Sequence, residues 1–378
     1  MIFTISRRTF VTVAALAVAL PASAQQAPKT ELVYIGTQAN EAGQGIVAAR
    51  FDPRIGALTA IGTAAEIARP TWVATSASEP LLYAVSETGT DAKNPGKVMA
   101  FAIKSDGALE ALGDVSSGGG GPTHLALDAA SKMLFAAHYS SGHVAAFPLR
   151  ANGSLGPLTS VQVNIGSGPS PRQKSAHAHG LTLDPSGRFL AVADLGADRV
   201  FFYRFDRKTR ALSPGTTMTV PAGHGPRHLV FHPRGNLLFL MTELVPEIRS
   251  YRWDARRGEA TLVQAIQTRG ETTEPKVSGA EIAATADGRF VYVSNRGEDV
   301  IVGYAIDAKT GTLREIDRVR TGKTPWSFAI HHSGKWVFVA NQGANSVSVF
   351  RRDIRTGKLS ATDQSITVGK PTSIAFAR

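Results

Sequence analysis

The 378 residues include no cysteine, which excludes disulfides, thiolate nucleophiles and cysteine-ligated zinc. Beyond residue 24 no apolar run approaches the ~20 residues of a membrane-spanning helix, and no sustained 3.6-residue apolar stripe marks an amphipathic helix. Gly-rich phosphate loops, a nucleophile-elbow serine and a dinucleotide fingerprint are also missing. Acidic residues are in the minority, 30 against 41 Lys and Arg, giving a formal charge of +11. The basic residues (Arg204, Arg207, Lys208, Arg210; Arg252, Arg256, Arg257; Arg351, Arg352, Arg355) are dispersed and not interleaved with aromatics. They read first as a solvated rim and second as an attraction for anions, and nucleic acid is not an expected partner.

Glycine is plentiful, at 37 residues, and so are turn signals. Laying 180–206 over 228–254 shows one unit twice: a short apolar strand, a Pro/Gly turn, a second apolar strand, a polar loop, and a third strand ending in an aromatic and Asp. Related copies start near Pro70, Pro122, Gly279 and Pro325, and a stub starts at Pro371. Successive copies are 46 to 56 residues apart, against roughly 40–50 for the four-stranded blade of a β-propeller. Turns such as Asp184-Pro185-Ser186-Gly187 and β-branched, aromatic runs such as Phe290 to Val293 fit hairpins of buried strands. The stub supplies only a first strand, whereas Leu32 to Thr37 and Gly45 to Asp52 supply a second and third. Joined, they complete a blade and remove the free sheet edges. The expected fold is all-β: a seven-bladed β-propeller whose C-terminal strand joins the N-terminal blade.

Residues 1–24 read as an export signal and 25–378 as a single propeller domain. Arg7 and Arg8 form a charged region of twin-arginine type, Val13 to Leu20 an apolar region, and Ala22-Ser23-Ala24 a cleavage site. The apolar run is too short for an anchor, so the mature chain is expected in the periplasm without a transmembrane segment.

Strand order nominates a site. The residue leading into a first strand and the residue leaving a second strand lie at the same end of a blade, near the central channel. The first set reads Thr71, Thr123, His179, Arg227, Ala280, Trp326 and Thr372; the second reads Gln38, Thr88, Ser140, Leu195, Glu243, Arg296 and Gln342. A bland rim would be Ser, Thr, Asn and Gly. Here His179, Arg227, Glu243 and Arg296 occupy equivalent columns on consecutive blades, with His124, His138, His177, His228 and Glu281 nearby. Arginines bind carboxylates or developing oxyanions in fork geometry, and His or Glu serves as a general base. The competing reading is an ion-pair ring tying blades together. His124 and His228 also read as partners of backbone groups at strand starts, and His232 and His332 as turn residues. His177-x-His179 has no oxygen cage nearby; no metal and no cofactor is assigned.

The run from His177 to Val200, followed by Gly225 to Pro233 and Thr242-Glu243-Leu244, resembles the seven-bladed lactonase family, which includes cycloisomerase-type 6-phosphogluconolactonases and the fungal 3-carboxy-cis,cis-muconate lactonizing enzyme. The resemblance implies catalytic roles for His179, Arg227, Glu243 and Arg296, with His177 a rival for the first. His177, His124, His228, Tyr139, Glu281 and Trp326 are the candidates for contacting substrate. Ala176 and His138 depart from the usual pattern, and His138 is expected to alter the pocket wall. Export separates the chain from a cytosolic sugar phosphate. The implied function is a metal-independent opening of a polar or anionic lactone, an unphosphorylated sugar lactone or one from aromatic catabolism, to a hydroxy acid; the lactonizing direction stays open. The alternative is a non-catalytic periplasmic propeller that binds a ligand or protein.

Overall fold

The repeat folds as its turns dictate. At the Asp184 turn the carboxylate Oδ1 accepts the N–H groups of Arg188 at 2.9 Å and Phe189 at 2.8 Å, while Gly187 takes φ +68°. That leaves the first and second strands antiparallel. The Asp at the end of the third strand in blades 4 to 7 works similarly: Oδ1 of Asp206, Asp254, Asp307 and Asp353 accepts N–H groups two and three residues on. This Asx-type turn is the physical reason for the recurrent Asp.

The computed structural model describes residues 1–2 and 30–377. The charged, apolar and cleavage segments of the expected export signal lie outside the described residues. The described chain forms seven antiparallel four-stranded sheets. Blade 1 is composite: Pro371–Phe376 is its inner strand, followed outward by Glu31–Thr37, Gly45–Asp52 and Ala57–Glu66. The inner strands of blades 2 to 7 are Val73–Thr75, Pro122–Asp128, Ala178–Leu183, Pro226–Phe231, Ser278–Ala284 and Pro325–Ile330. Gln342–Ala344 forms a 3-10 turn, the sole helical element among the described residues. The expected seven-bladed, closed propeller is therefore the observed fold.

The core lies between blades, where the alternating faces of neighbouring second and third strands meet. Between blades 4 and 5, Phe189, Phe202, Leu240 and Trp253 are buried together, with the Phe202 and Trp253 rings 4.8 Å apart. Second-strand tyrosines tie blades across these seams: Tyr34, Tyr83 and Tyr292 donate to the carbonyls of Gly107, Gly153 and Gly357 in the next blade. Burial pushes each of these phenols up to about 12, so they donate at any physiological pH. The closing seam has its own tie, Trp336 Nε1 to the Pro53 carbonyl at 2.9 Å.

Candidate active site

One backbone device recurs at the channel mouth. Arg69, Gly121, Gly225, Thr324 and Lys370 take φ between 45° and 64°, and a proline follows each. After the proline in blades 3, 5, 7 and 1 the register slips, so that Pro226 pairs with Thr242 but His228 already pairs with Met241. Blade 4 slips in the same way at His179 without the proline. Such a bulge leaves one residue unpaired and re-aims its side chain. The bulged residues are Thr123, His179, Arg227, Trp326 and Thr372, and the first four line a cavity of about 310 Å³. In blade 6 the irregular stretch includes Ala280 and Glu281.

Glu243, leaving the second strand of blade 5, is the hub of that cavity. Its Oε2 accepts Arg227 Nε at 2.9 Å and its Oε1 accepts Arg172 Nη1 at 2.5 Å, while Arg296 Nη2, which donates to the Gly279 carbonyl, forms an ion pair with Oε2 at 3.0 Å. Burial pushes this carboxyl up, but Arg296, Arg227 and Arg172 outweigh it and hold the group down at about 2. Arg227 is 1% exposed, the largest fully buried side chain; burial and the neighbouring Arg296 push it down to about 10, still protonated at neutral pH. The Trp326 ring lies against both guanidinium groups, 5.7 Å from Arg227 and 4.8 Å from Arg296. Arg227 Nη1 and Arg296 Nε find no partner among the described residues. The arrangement holds positive charge in place with unsatisfied N–H groups, as stabilisation of an oxyanion requires.

Opposite this charge lie imidazoles. His228 Nδ1 is 2.7 Å from Glu281 Oε1. Burial lowers the His228 pKa, so the pair is a neutral imidazole donating to a carboxylate. His179 is lowered well below the ordinary value by burial and by Arg227, and is neutral too. Its Nε2 lies 3.9 Å from Glu243 Oε2, too long for a hydrogen bond. The rings of His179, His228, His124 and Trp72 form a continuous series with centroids 4.0 to 5.0 Å apart, edge-to-face between the histidines and tilted between His124 and Trp72.

Most sequence-nominated residues meet here. His179, Arg227, Glu243, Arg296, His228, Tyr139 and Trp326 line the cavity, and Glu281 sits behind His228. His177 does not line it: its Nδ1 lies 2.6 Å from the Tyr139 carbonyl oxygen and its ring stacks on Tyr139 at 4.7 Å. His124 packs on Trp72 behind the wall. The partner of His228 is not the expected backbone group but the carboxylate of Glu281 on blade 6. His138 ends a buried second strand with Nδ1 3.0 Å from the His143 carbonyl oxygen and lines no part of the cavity. In two degenerate copies the column leaving the second strand was displaced by one residue: Glu87 and Tyr139, not Thr88 and Ser140, line the cavity. Arg172 was missed altogether. It reaches in from the connection between blades 3 and 4, donating to Tyr139 Oη at 2.8 Å as well as to Glu243.

Gly180 explains how the imidazole and the arginine fit side by side. A Cβ there would lie 2.6 Å from the Arg227 carbonyl oxygen and 2.7 Å from His228 Cδ2. Because one obstacle is backbone, Gly180→Ala is expected to cost about 1–3 kcal/mol of stability in urea unfolding and to reduce activity with it.

Away from the channel, Glu31, His331 and His332 bring ligand-type atoms within 4.8 Å of one another. His331 Nε2 is 2.9 Å from Glu31 Oε2 and its Nδ1 2.8 Å from Ser333 Oγ, so the group serves as a hydrogen-bonded clasp between blades 7 and 1. Within the cavity the carboxylate of Glu243 already has cations on both oxygens.

The profile of a family described as "Lactonase, 7-bladed beta-propeller" matches residues 32–376. The chain is 32% identical over 297 residues to the 6-phosphogluconolactonase of Bacillus subtilis, covering 78% of this chain and 83% of that protein. Among solved structures it is similar to the periplasmic gluconolactonase of Pseudomonas aeruginosa, with TM-score 0.86, 31% identity, and 92% and 99% of the two chains covered. A protein of Lactobacillus plantarum matches with TM-score 0.86 and 32% identity over 92% of this chain and 100% of that one. Composite ring, repeat and relatives agree, and the chain belongs to the seven-bladed β-propeller lactonase family and so to the lactonase-type hydrolases.

Proposed function

We propose that this protein opens a small unphosphorylated lactone, a sugar lactone or a lactone from aromatic catabolism, by adding water at the channel mouth. The observation that carries this is the trio of arginines on Glu243 facing neutral imidazoles across one small cavity. Arg227 and Arg296 polarise the lactone carbonyl and stabilise the oxyanion that forms when water adds to its carbon. Glu243, already engaged by three cations and held at about 2, is too weak a base to take a proton at neutral pH; its part is to position the guanidinium groups. A neutral imidazole takes the water proton. Arg172, half-exposed at the mouth, meets the polar groups of the incoming ring, and Trp72 and Trp326 offer it flat apolar walls.

Charge supports the unphosphorylated class. The positive charges of Arg172, Arg227 and Arg296 are met by Glu243 and Glu281, leaving little surplus for a phosphate dianion. Residues 1–24 read as an export signal, a relative of the same family is named a periplasmic enzyme, and no helix among the described residues is long and apolar enough to cross a membrane; we therefore assign the protein to the periplasm.

The test is pH-stat hydrolysis of glucono-1,5-lactone and of muconolactone-type substrates, with and without chelator. Turnover is expected to survive the chelator and to fall about 100-fold in Arg227→Ala, as on loss of an oxyanion donor. Full activity in that variant, or a folded wild-type protein inert towards every lactone, defeats the reading.

A further inference from the structure

The imidazole that takes the proton is identifiable from its surroundings. His228 stands on the inner strand of blade 5, between the inner strands of blades 4 and 6. On one side its Cδ2 edge lies against Gly180, where no side chain intervenes. On the other, Nδ1 is fixed by Glu281 Oε1 at 2.7 Å. With Nδ1 on Glu281 and Cδ2 against Gly180, the ring nitrogen left for chemistry is Nε2. Nε2 finds no partner among the described residues, although His228 is only 3% exposed and lines the cavity. Glu281 is itself held, its Oε1 also accepting the Ile282 N–H at 2.9 Å. His179 has no such orienting partner: its Nδ1 is unpaired and its Nε2 lies beyond hydrogen-bond reach of Glu243.

We propose that His228 is the general base of the lactone hydrolysis and Glu281 its positioning residue, the carboxylate fixing the proton on Nδ1 so that the Nε2 lone pair faces the substrate. The assignment rests on the lactonase reading above. Nε2 takes a proton from water as the water oxygen bonds to the carbonyl carbon, and the C=O electron pair moves to the oxygen held by Arg227 and Arg296. On collapse the ring C–O bond breaks, and the alkoxide leaves with the proton from Nε2, giving the hydroxy acid. The logic is that of a carboxylate-oriented histidine.

The groups facing His228 are Glu281 from blade 6, Arg227 beside it, Glu243 from the second strand of its own blade, and His124 and His179 from blades 3 and 4. Burial lowers His228 and Glu281 raises it. The base works when neutral, so activity falls as pH drops through its pKa, below the ordinary 6.5.

The experiment compares wild type, His228→Gln, Glu281→Gln and His179→Gln on the lactone the wild type opens best, as kcat and KM against pH. Removing a general base costs about 100-fold or more. His228→Gln is expected to lose that much in kcat, with KM within about threefold and the acid limb abolished. Glu281→Gln still accepts the Nδ1 proton but lacks the charge; kcat is expected to fall about tenfold and the acid limb to move to lower pH. The limb is expected to persist in His179→Gln. If His228→Gln does not fold by circular dichroism, the shift in Glu281→Gln decides. An unmoved limb in Glu281→Gln, or a folded His228→Gln with wild-type kcat, overturns the dyad while leaving the lactonase reading standing; a wild type inert towards all lactones overturns both.

Discussion

Deleting residues 370–378 is expected to abolish the closed native ring. The strand Pro371–Phe376 is the inner strand of blade 1, and its removal exposes the edge of Glu31–Thr37 on one side and the apolar seam to blade 7 on the other. It also takes away ties to blade 2: Thr372 Oγ1 donates to the Thr71 carbonyl at 2.9 Å, the Val73 N–H donates to Ser373 Oγ at 3.1 Å, and Thr75 Oγ1 donates to the Phe376 carbonyl at 2.7 Å. The open ring has an unpaired, apolar edge, which templates pairing with other chains. Size-exclusion chromatography should show oligomers or aggregate, with no cooperative thermal transition near that of the wild type. A synthetic peptide of residues 369–378 added in trans should restore the wild-type elution volume, because the missing strand is complementary to one edge only. A truncated chain that keeps the wild-type elution volume and midpoint would mean that stacking of the other six blades suffices without closure.

That closing strand was legible in the sequence because the stub at Pro371 repeats the pattern of Pro226 and Pro325, while Leu32 to Asp52 supply a second and a third strand that lack a first. The same logic brought His179, Arg227, Glu243 and Arg296 to one rim, since equivalent positions in a repeat lie at equivalent heights. It failed where the repeat is degenerate. After the second strand of blade 3 no Pro or Asp punctuates the loop, and after that of blade 2 the first such residue, Asp91, comes only well beyond Ser86, so the alignment slipped by one residue, which in a strand exchanges the two faces. Arg172 belongs to no repeat unit; the only sign of it was the 56-residue spacing between the copies at Pro122 and Ala178, the longest in the chain, which marks an insertion at the channel mouth. Alternation could not choose between His177 and His179, because the bulge at His179 breaks the period of two on which the argument depends. Glu281 was seen near the rim, but its pairing with His228 crosses from one blade to the next, and no pattern within a repeat carries that information.

Glu243→Gln is expected to be the most damaging single substitution at the rim, for stability before chemistry. The side chain is 3% exposed and answers three guanidinium groups. Removing one partner of a buried ionic cluster leaves uncompensated charge and costs about 3–5 kcal/mol. Linkage gives an independent value. The folded carboxyl sits at about 2 against an ordinary 4.5, so its contribution is fully present above pH 4.5 and is lost as pH falls through 2. A depression of that size corresponds to about 3 kcal/mol, in agreement with the first figure. Urea unfolding from pH 2 to 7 should show the wild type losing stability across that acid window and the Gln variant, already weakened, losing less. Formate or chloride should bind between the bared arginines of Glu243→Ala and recover part of the loss, since an anion of the right size replaces the charge without the tether. If stability at pH 7 is unchanged in Glu243→Gln, the arginines are solvated well enough to stand alone. They would then be poor oxyanion donors, because groups that water satisfies gain little when substrate charge develops beside them. Stability and catalysis at this rim therefore share one cause, two guanidinium groups held out of water, with a third at the mouth, around a single carboxylate.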